Sequence, residues 1–227
     1  MTSFVKKLCV IGAVICLVGC EEQKSIAPPL AKAPETSVQT AAPTNVATTG
    51  TKSGIFGHDV DPTAQVVYLI DRSGSMSDSL AMIERELVAS FGCLRSGQEF
   101  HIIFYNGQPH ENPAARLIPA TDANKYQAYK YVQAVKAHGL SNPVPAMERT
   151  FQVLRQGSAE RPRVIHFLSD GAFPDNDELL ATVRRLNQDK SVRIHTYLCG
   201  QSTPLSMAVM KRIAAENNGR YAYLTSE

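Results

Sequence analysis

The sequence predicts an α/β fold: a doubly wound, mainly parallel six-stranded sheet with one antiparallel edge strand. Three observations predict it. Apolar runs of strand length alternate with amphipathic stretches of helix length, the pattern of a repeated βα unit. The first run, "QVVYLI" at residues 65–70, is apolar at nearly every position, as a strand covered on both faces must be. Two of the runs end in an acid, Asp71 and Asp170, and ligands of such sheets collect beyond the carboxyl ends of the strands.

The elements follow in order. After the first strand, Asp78 is placed to cap a helix reaching about Leu94, with Leu80, Ile83, Leu87 and Phe91 on one stripe. "EFHIIFYN" is the second strand, ending at Asn106. The turn-rich "GQPHENPAARLIPA" leads to a short third strand at residues 115–119. It arrives too soon for a parallel crossover, which takes a dozen or more residues, so it should pair antiparallel at the sheet edge. Residues 122–137 read as a helix, "HGLSNP" breaks the chain, and residues 144–156 read as the next helix. "RVIHFLSDG" is the fourth strand, residues 177–187 a helix and "VRIHTYLCG" the fifth strand. A helix over residues 204–217, closed by Gly219, leads to the last strand, "YAYLT".

With 227 residues and 44% hydrophobic content, the chain can bury one good-sized core. A formal net charge of +2, with no Lys/Arg run in the folded part, gives no electrostatic footprint for nucleic acid. Residues 1–19 read as a secretory signal: Lys6 and Lys7, an apolar stretch at residues 8–18 too short to cross a bilayer, then Gly19 and Cys20. Leu17-Val18-Gly19-Cys20 resembles the lipobox of bacterial lipoproteins. That resemblance implies a lipidated Cys20 as mature N-terminus, membrane-anchored in the cell envelope on its periplasmic or extracellular face, and multiple acyl chains would hold it firmly. Residues 20–61, rich in Ala, Thr, Pro and Ser, are expected to form a disordered tether spanning roughly 35 Å, with the folded domain at residues 62–227. Cys9 and Cys16 would leave with the signal, so Cys93 and Cys199 are expected as two buried thiols without a bridge.

The chemistry concentrates in "YLIDRSGSMS". Asp71, Ser73 and Ser75 alternate, so one extended turn can aim all three at a point, and Gly74 lets the backbone bend. Oxygen ligands without nitrogen or sulfur suit a hard cation such as Mg²⁺, with Ca²⁺ less expected. Asp170 can approach from a neighbouring strand end, and Ser141 can close the set.

Asp71-x-Ser73-x-Ser75, a later Ser141 before Asn-Pro, and "LSDG" ending in Asp170-Gly171 together resemble the von Willebrand factor type A domain over about residues 64–224. The resemblance implies a Rossmann-like sheet with a metal-ion-dependent adhesion site at its top. There Ser73, Ser75 and a third hydroxyl contact Mg²⁺ or Mn²⁺, the two aspartates bond directly or through water, and an Asp or Glu from a protein partner completes the shell. One departure is Leu140-Ser141, after His138-Gly139, where the family commonly has glycine then threonine.

Plainer readings stand beside this one. Asp71 to Ser75 can be a helix-capping turn, Asp170-Gly171 a simple turn and Ser141 a helix entry. His101, His166 and His195 are expected in the core, whereas His110 and His138 can rim the site. Met76 can line the binding face, although packing is the safer expectation, and Arg184-Arg185 and Lys211-Arg212 read as solvated helix faces. An enzyme is not expected: there is no phosphate-binding loop, "SGSMS" lacks the second glycine of a nucleophile elbow, and no base adjoins Ser73 or Ser75. The expected protein is an envelope-tethered adhesion or scaffolding module. The alternatives are a magnesium-dependent hydrolase or phosphatase acting through Asp71, and a scaffold of this fold that binds its partner without metal.

Overall fold

The computed structural model describes residues 61–224. The signal, Cys20 and nearly all of the tether lie outside the described residues.

Five strands run parallel: β1 (Gln65–Asp71), β2 (Glu99–Tyr105), β5 (Arg163–Ser169), β6 (Val192–Cys199) and β7 (Tyr221–Leu224). Two short strands, β3 (Pro109–Glu111) and β4 (Ile118–Pro119), pair antiparallel with β2. The spatial order is β3-β2-β1-β5-β6-β7, with β4 also on β2. The chain winds from β1 to β2, then returns to β5 on the other side of β1. The reversal therefore falls at β1, and the crevice it opens lies at the carboxyl ends of β1 and its neighbours.

Every residue of β1 is buried because helices cover both faces. Val66, Tyr68 and Ile70 pack on one side against α1 (Ser77–Gly92) and α2 (Asp122–Gln133), through Ile83, Leu87, Phe91 and Val132. Val67 and Leu69 point the other way, into a core closed by α3 (Val144–Gln156), α4 (Asn176–Leu186) and α5 (Pro204–Glu216). Each fully buried Leu, Ile or Phe contributes about 1.5–3 kcal/mol, so this double layer holds the strand ends firmly in place.

Several elements differ from expectation for identifiable reasons. The sheet has seven strands rather than six, because the expected edge strand at residues 115–119 shortens to β4 and a further short strand, β3, forms in the turn-rich segment before it. β3 returns from β2 through a tight turn at Gly107 (φ 109°), and Ala115 (φ 52°) breaks the chain before β4. Asp78 does not cap α1. A 3₁₀ turn at Gly74–Met76 already starts the helix, which leaves Asp78 inside its first turn. α2 stops at Gln133 instead of Ala137, since Ala134 and Val135 donate in tight bonds to Tyr131 and Val132 and His138 N–H then reaches Arg72 O at 2.8 Å. Asp175 caps α4 through the Glu178 N–H, and Thr203 with Ser206 forms a capping box on α5.

Cys199 is buried, as expected, with its Sγ 3.8 Å from Met76 Sδ, but Cys93 is exposed because α1 ends one residue earlier, at the rim. His101, His166 and His195 are buried in their strands, and Tyr68, His166 and His195 stack across the sheet at centroid spacings of 5.3 and 5.4 Å. Arg184 and Arg212 are not simply solvated, for both hold Glu216, Arg184 with a two-pronged grip of 2.7 Å at each oxygen.

Candidate metal centre

β1 delivers the Asp71 carboxylate, 0% exposed, to the crevice. Oδ1 accepts the Ser73 N–H at 2.8 Å, a local turn that reverses the chain into the 3₁₀ segment. Oδ2 accepts three hydroxyls from three segments: Tyr105 at the end of β2 (3.1 Å), Ser141 in the loop before α3 (2.7 Å) and Ser169 at the end of β5 (2.8 Å). The Ser73 and Ser75 hydroxyls lie 3.1 Å apart, and Ser75 is exposed where Ser73 is buried, so the cluster opens from the core to solvent.

The loop carrying Ser141 is stitched to the Asp71–Ser75 turn by backbone. Gly74 N–H donates to Gly139 O at 3.0 Å, and the Asn106 amide holds His138 O at 3.0 Å. Gly139 takes the left-handed conformation (φ 79°) that a β-carbon would resist. Leu140, 85% exposed, thus points away while Ser141 turns in, and the departure from glycine leaves the hydroxyl in place.

Asp170 is 6% exposed and accepts the Ala172 N–H at Oδ1 (3.0 Å). Among the described residues its Oδ2 has no hydrogen-bond donor, and neither Asp71 nor Asp170 is in an ion pair. Two buried carboxylates without a cation are costly. Burial pushes the Asp71 carboxyl above its usual range, although hydrogen bonds from Ser73, Ser141 and Ser169 pull it back. Burial also raises the Cys199 thiol, with the charges of Asp170 and Asp71 adding to the effect, so both acids bear on the same small region.

The donor set is all oxygen. A serine hydroxyl that gives its single proton to Asp71 keeps its lone pairs for another neighbour. Ser73, Ser75, Ser141 and the bare Oδ2 of Asp170 therefore fit a hard divalent cation. Among the described residues no three His, Cys, Asp or Glu side chains gather in a metal-holding group, so this chemistry rests on hydroxyls.

Asp71, Ser73, Ser75 and Ser141 thus meet in one network, with Asp170 just past the end of β5 and fixed by its own turn. Two members escape sequence reasoning. Ser169 sits in the quoted "LSDG", and Tyr105 stands directly opposite Asp71 in the β1–β2 register. His110 and His138 do rim this end, joined through Asn106 at 3.0 and 2.9 Å, whereas Met76 is fully buried and lines the core instead.

A doubly wound sheet with this crevice is the fold of von Willebrand factor type A domains. The model of the von Willebrand factor type A domain family matches residues 66–172, from β1 to just past Asp170. Two relatives are the uncharacterized protein YfbK of Escherichia coli K12, 25% identical over 169 residues, and inter alpha-trypsin inhibitor heavy chain 4 of Mus musculus, 26% identical over 183 residues. These alignments cover 72% and 74% of this chain but only 28% and 19% of the relatives. Among solved structures, a von Willebrand factor type A protein from Catenulispora acidiphila superposes with a TM-score of 0.65 at 14% identity, covering 72% of this chain and 39% of the other. Manganese-loaded TRAP protein of Plasmodium vivax superposes with a TM-score of 0.57 at 19% identity, covering 73% and 70%. The pilus adhesin SpaC of Lactobacillus rhamnosus GG superposes at 0.60 and 11%, covering 78% and 29%. Domains of this kind generally bind proteins.

Proposed function

We propose that this chain is a non-enzymatic adhesion or scaffolding module that binds the Asp or Glu carboxylate of a protein partner through Mg²⁺ or Mn²⁺ at the Asp71 crevice. The observation that carries this reading is the pair of buried carboxylates, in no ion pair among the described residues, beside three hydroxyls. Asp71 acts as the organiser: its four hydrogen bonds hold the turn, the Ser141 loop and the β2 and β5 ends in register. Ser73, Ser75, Ser141 and Asp170 are the residues that would hold the ion. When bound, the cation supplies the positive charge that attracts an anionic group, and the neutral hydroxyls leave much of that charge unquenched. Exposed Leu140 (85%) and Leu205 (62%), both at the carboxyl edge of the sheet, offer apolar contact around it.

The same reading places the domain at the cell envelope, anchored through lipidated Cys20, with residues 20–61 as a spacer. Its test is partner capture from envelope extracts in magnesium and in chelator. Ser73→Ala combined with Ser75→Ala should reduce capture to the level seen in chelator. Capture unchanged by both chelator and substitution would instead favour a scaffold that binds without metal.

A further inference from the structure

At the opposite edge of the sheet, where β5 and β6 begin, lies a cavity of about 670 Å³. Four cationic side chains line it: Arg163, Lys190, Arg193 and Arg220. The acid among its lining residues is Asp61, whose carboxylate is taken up by Thr63, accepting both its N–H and its hydroxyl.

Several arginines of the fold are already engaged by carboxylates. Arg149, Arg161, Arg184, Arg185 and Arg212 each hold a glutamate. Among the described residues Arg163, Lys190 and Arg193 are in no ion pair. Asp189 feels the charge of Arg163 without pairing to it, and one of its oxygens takes the Ser191 N–H at 3.1 Å. The Nε of Arg163 is buried with no acceptor, which is unfavourable unless one enters the cavity. Lys190 and Asn218, two of the three non-glycine residues with positive φ among the described residues (54° and 55°), also line it. Glycine would adopt these conformations more easily, and a lysine there brings its ammonium to the cavity instead.

Basic side chains near helix carboxyl ends can simply offset the helix dipoles. Here that role falls to Arg184 and Arg185 in the last turn of α4, whereas Arg163 and Arg193 stand on strands. Guanidinium forks suit tetrahedral oxyanions, which they can grip with two parallel N–H bonds.

We propose that this cavity binds a phosphate-class oxyanion, either a free phosphate or pyrophosphate group or the phosphate of a lipid headgroup. The site is independent of the Asp71 crevice and stands whether or not that crevice holds a metal.

The test uses the full chain carrying Cys20→Ser, so that no acyl chain contributes to vesicle binding. Inorganic phosphate and pyrophosphate are titrated at constant ionic strength, followed by calorimetry and by backbone amide shifts. Saturable binding is expected, with shifts centred on Ser191, Arg193 and Arg220. Arg193→Glu and Lys190→Glu, both at exposed positions, should each weaken pyrophosphate at least tenfold without lowering the thermal midpoint. In a second arm, vesicles of phosphatidylglycerol and of phosphatidylcholine are compared. Preference for phosphatidylglycerol that is lost in Arg193→Glu assigns the lipid source, and pyrophosphate binding without that preference assigns a free anion. Non-saturable shifts spread equally over Lys211 and Arg212, or affinities unchanged by both charge reversals, would overturn the site.

Discussion

Gly219→Ala should leave the chain largely unfolded. The segment after α5 runs flush along β6 before entering β7: Ile194 N–H donates to Asn217 O at 3.2 Å and Thr196 N–H to Arg220 O at 2.9 Å. A β-carbon on Gly219 would fall on the Ile194 carbonyl and lie 3.1 Å from His195 N. Both neighbours are backbone in a central strand, so no rotamer change relieves the clash. Either β6 shifts, breaking its register with β5, or β7 and the end of α5 come away. The expected cost exceeds about 3 kcal/mol, a large share of the 5–15 kcal/mol that holds a typical domain together. Gly92→Ala is the matched control, because a β-carbon there meets nothing within 4 Å. Urea denaturation followed by circular dichroism should show Gly92→Ala at or slightly above the wild-type midpoint and Gly219→Ala with little or no folded baseline. Equal midpoints for the two variants would mean that the β6–β7 junction is wrongly placed.

The second large effect is expected at Asp71. In Asp71→Asn the amide matches the carboxylate in shape but has one acceptor atom in place of two. With its nitrogen at the Oδ2 position it confronts three hydroxyl donors, and with the nitrogen at Oδ1 it confronts the Ser73 N–H. In the first orientation Ser141 and Ser169 lose the acceptor that orients them, and in the second the turn that positions Ser73 loses its bond, so divalent-cation affinity should fall about 10- to 100-fold, the usual range for a residue that positions metal ligands. Stability without metal should move far less. Burial already holds the Asp71 carboxyl above its usual range, so folding disfavours its charge, and removing that charge offsets part of the lost hydrogen bonding. The signature is therefore a wild type whose thermal midpoint rises with magnesium beside a variant whose midpoint does not. A variant as responsive to magnesium as the wild type would remove Asp71 from the site.

The buried strands were legible because hydrophobicity writes them: β1, β2, β5 and β6 fall within a residue or two of the apolar runs. β3 was not, since Pro109–Glu111 has no apolar pattern and is a strand only through its backbone bonds to β2. Asp71, Ser73 and Ser75 could be found together because one turn carries them. Ser169 and Tyr105 reach Asp71 sideways across the sheet, and that register is fixed by packing rather than by any local spacing. The basic cavity draws its four cations from three separate segments, and each reads alone as an ordinary solvated Lys or Arg.

The central claim is that the hydroxyl cluster beside Asp71 and Asp170 is a divalent-cation site, and a direct titration of Mn²⁺, detected by its electron paramagnetic resonance signal, tests it best. One ion per chain, displaced by Mg²⁺ and lost in the Ser73→Ala, Ser75→Ala double variant, is the result expected. Free Mn²⁺ throughout the titration, or binding that survives the double substitution undiminished, would contradict it.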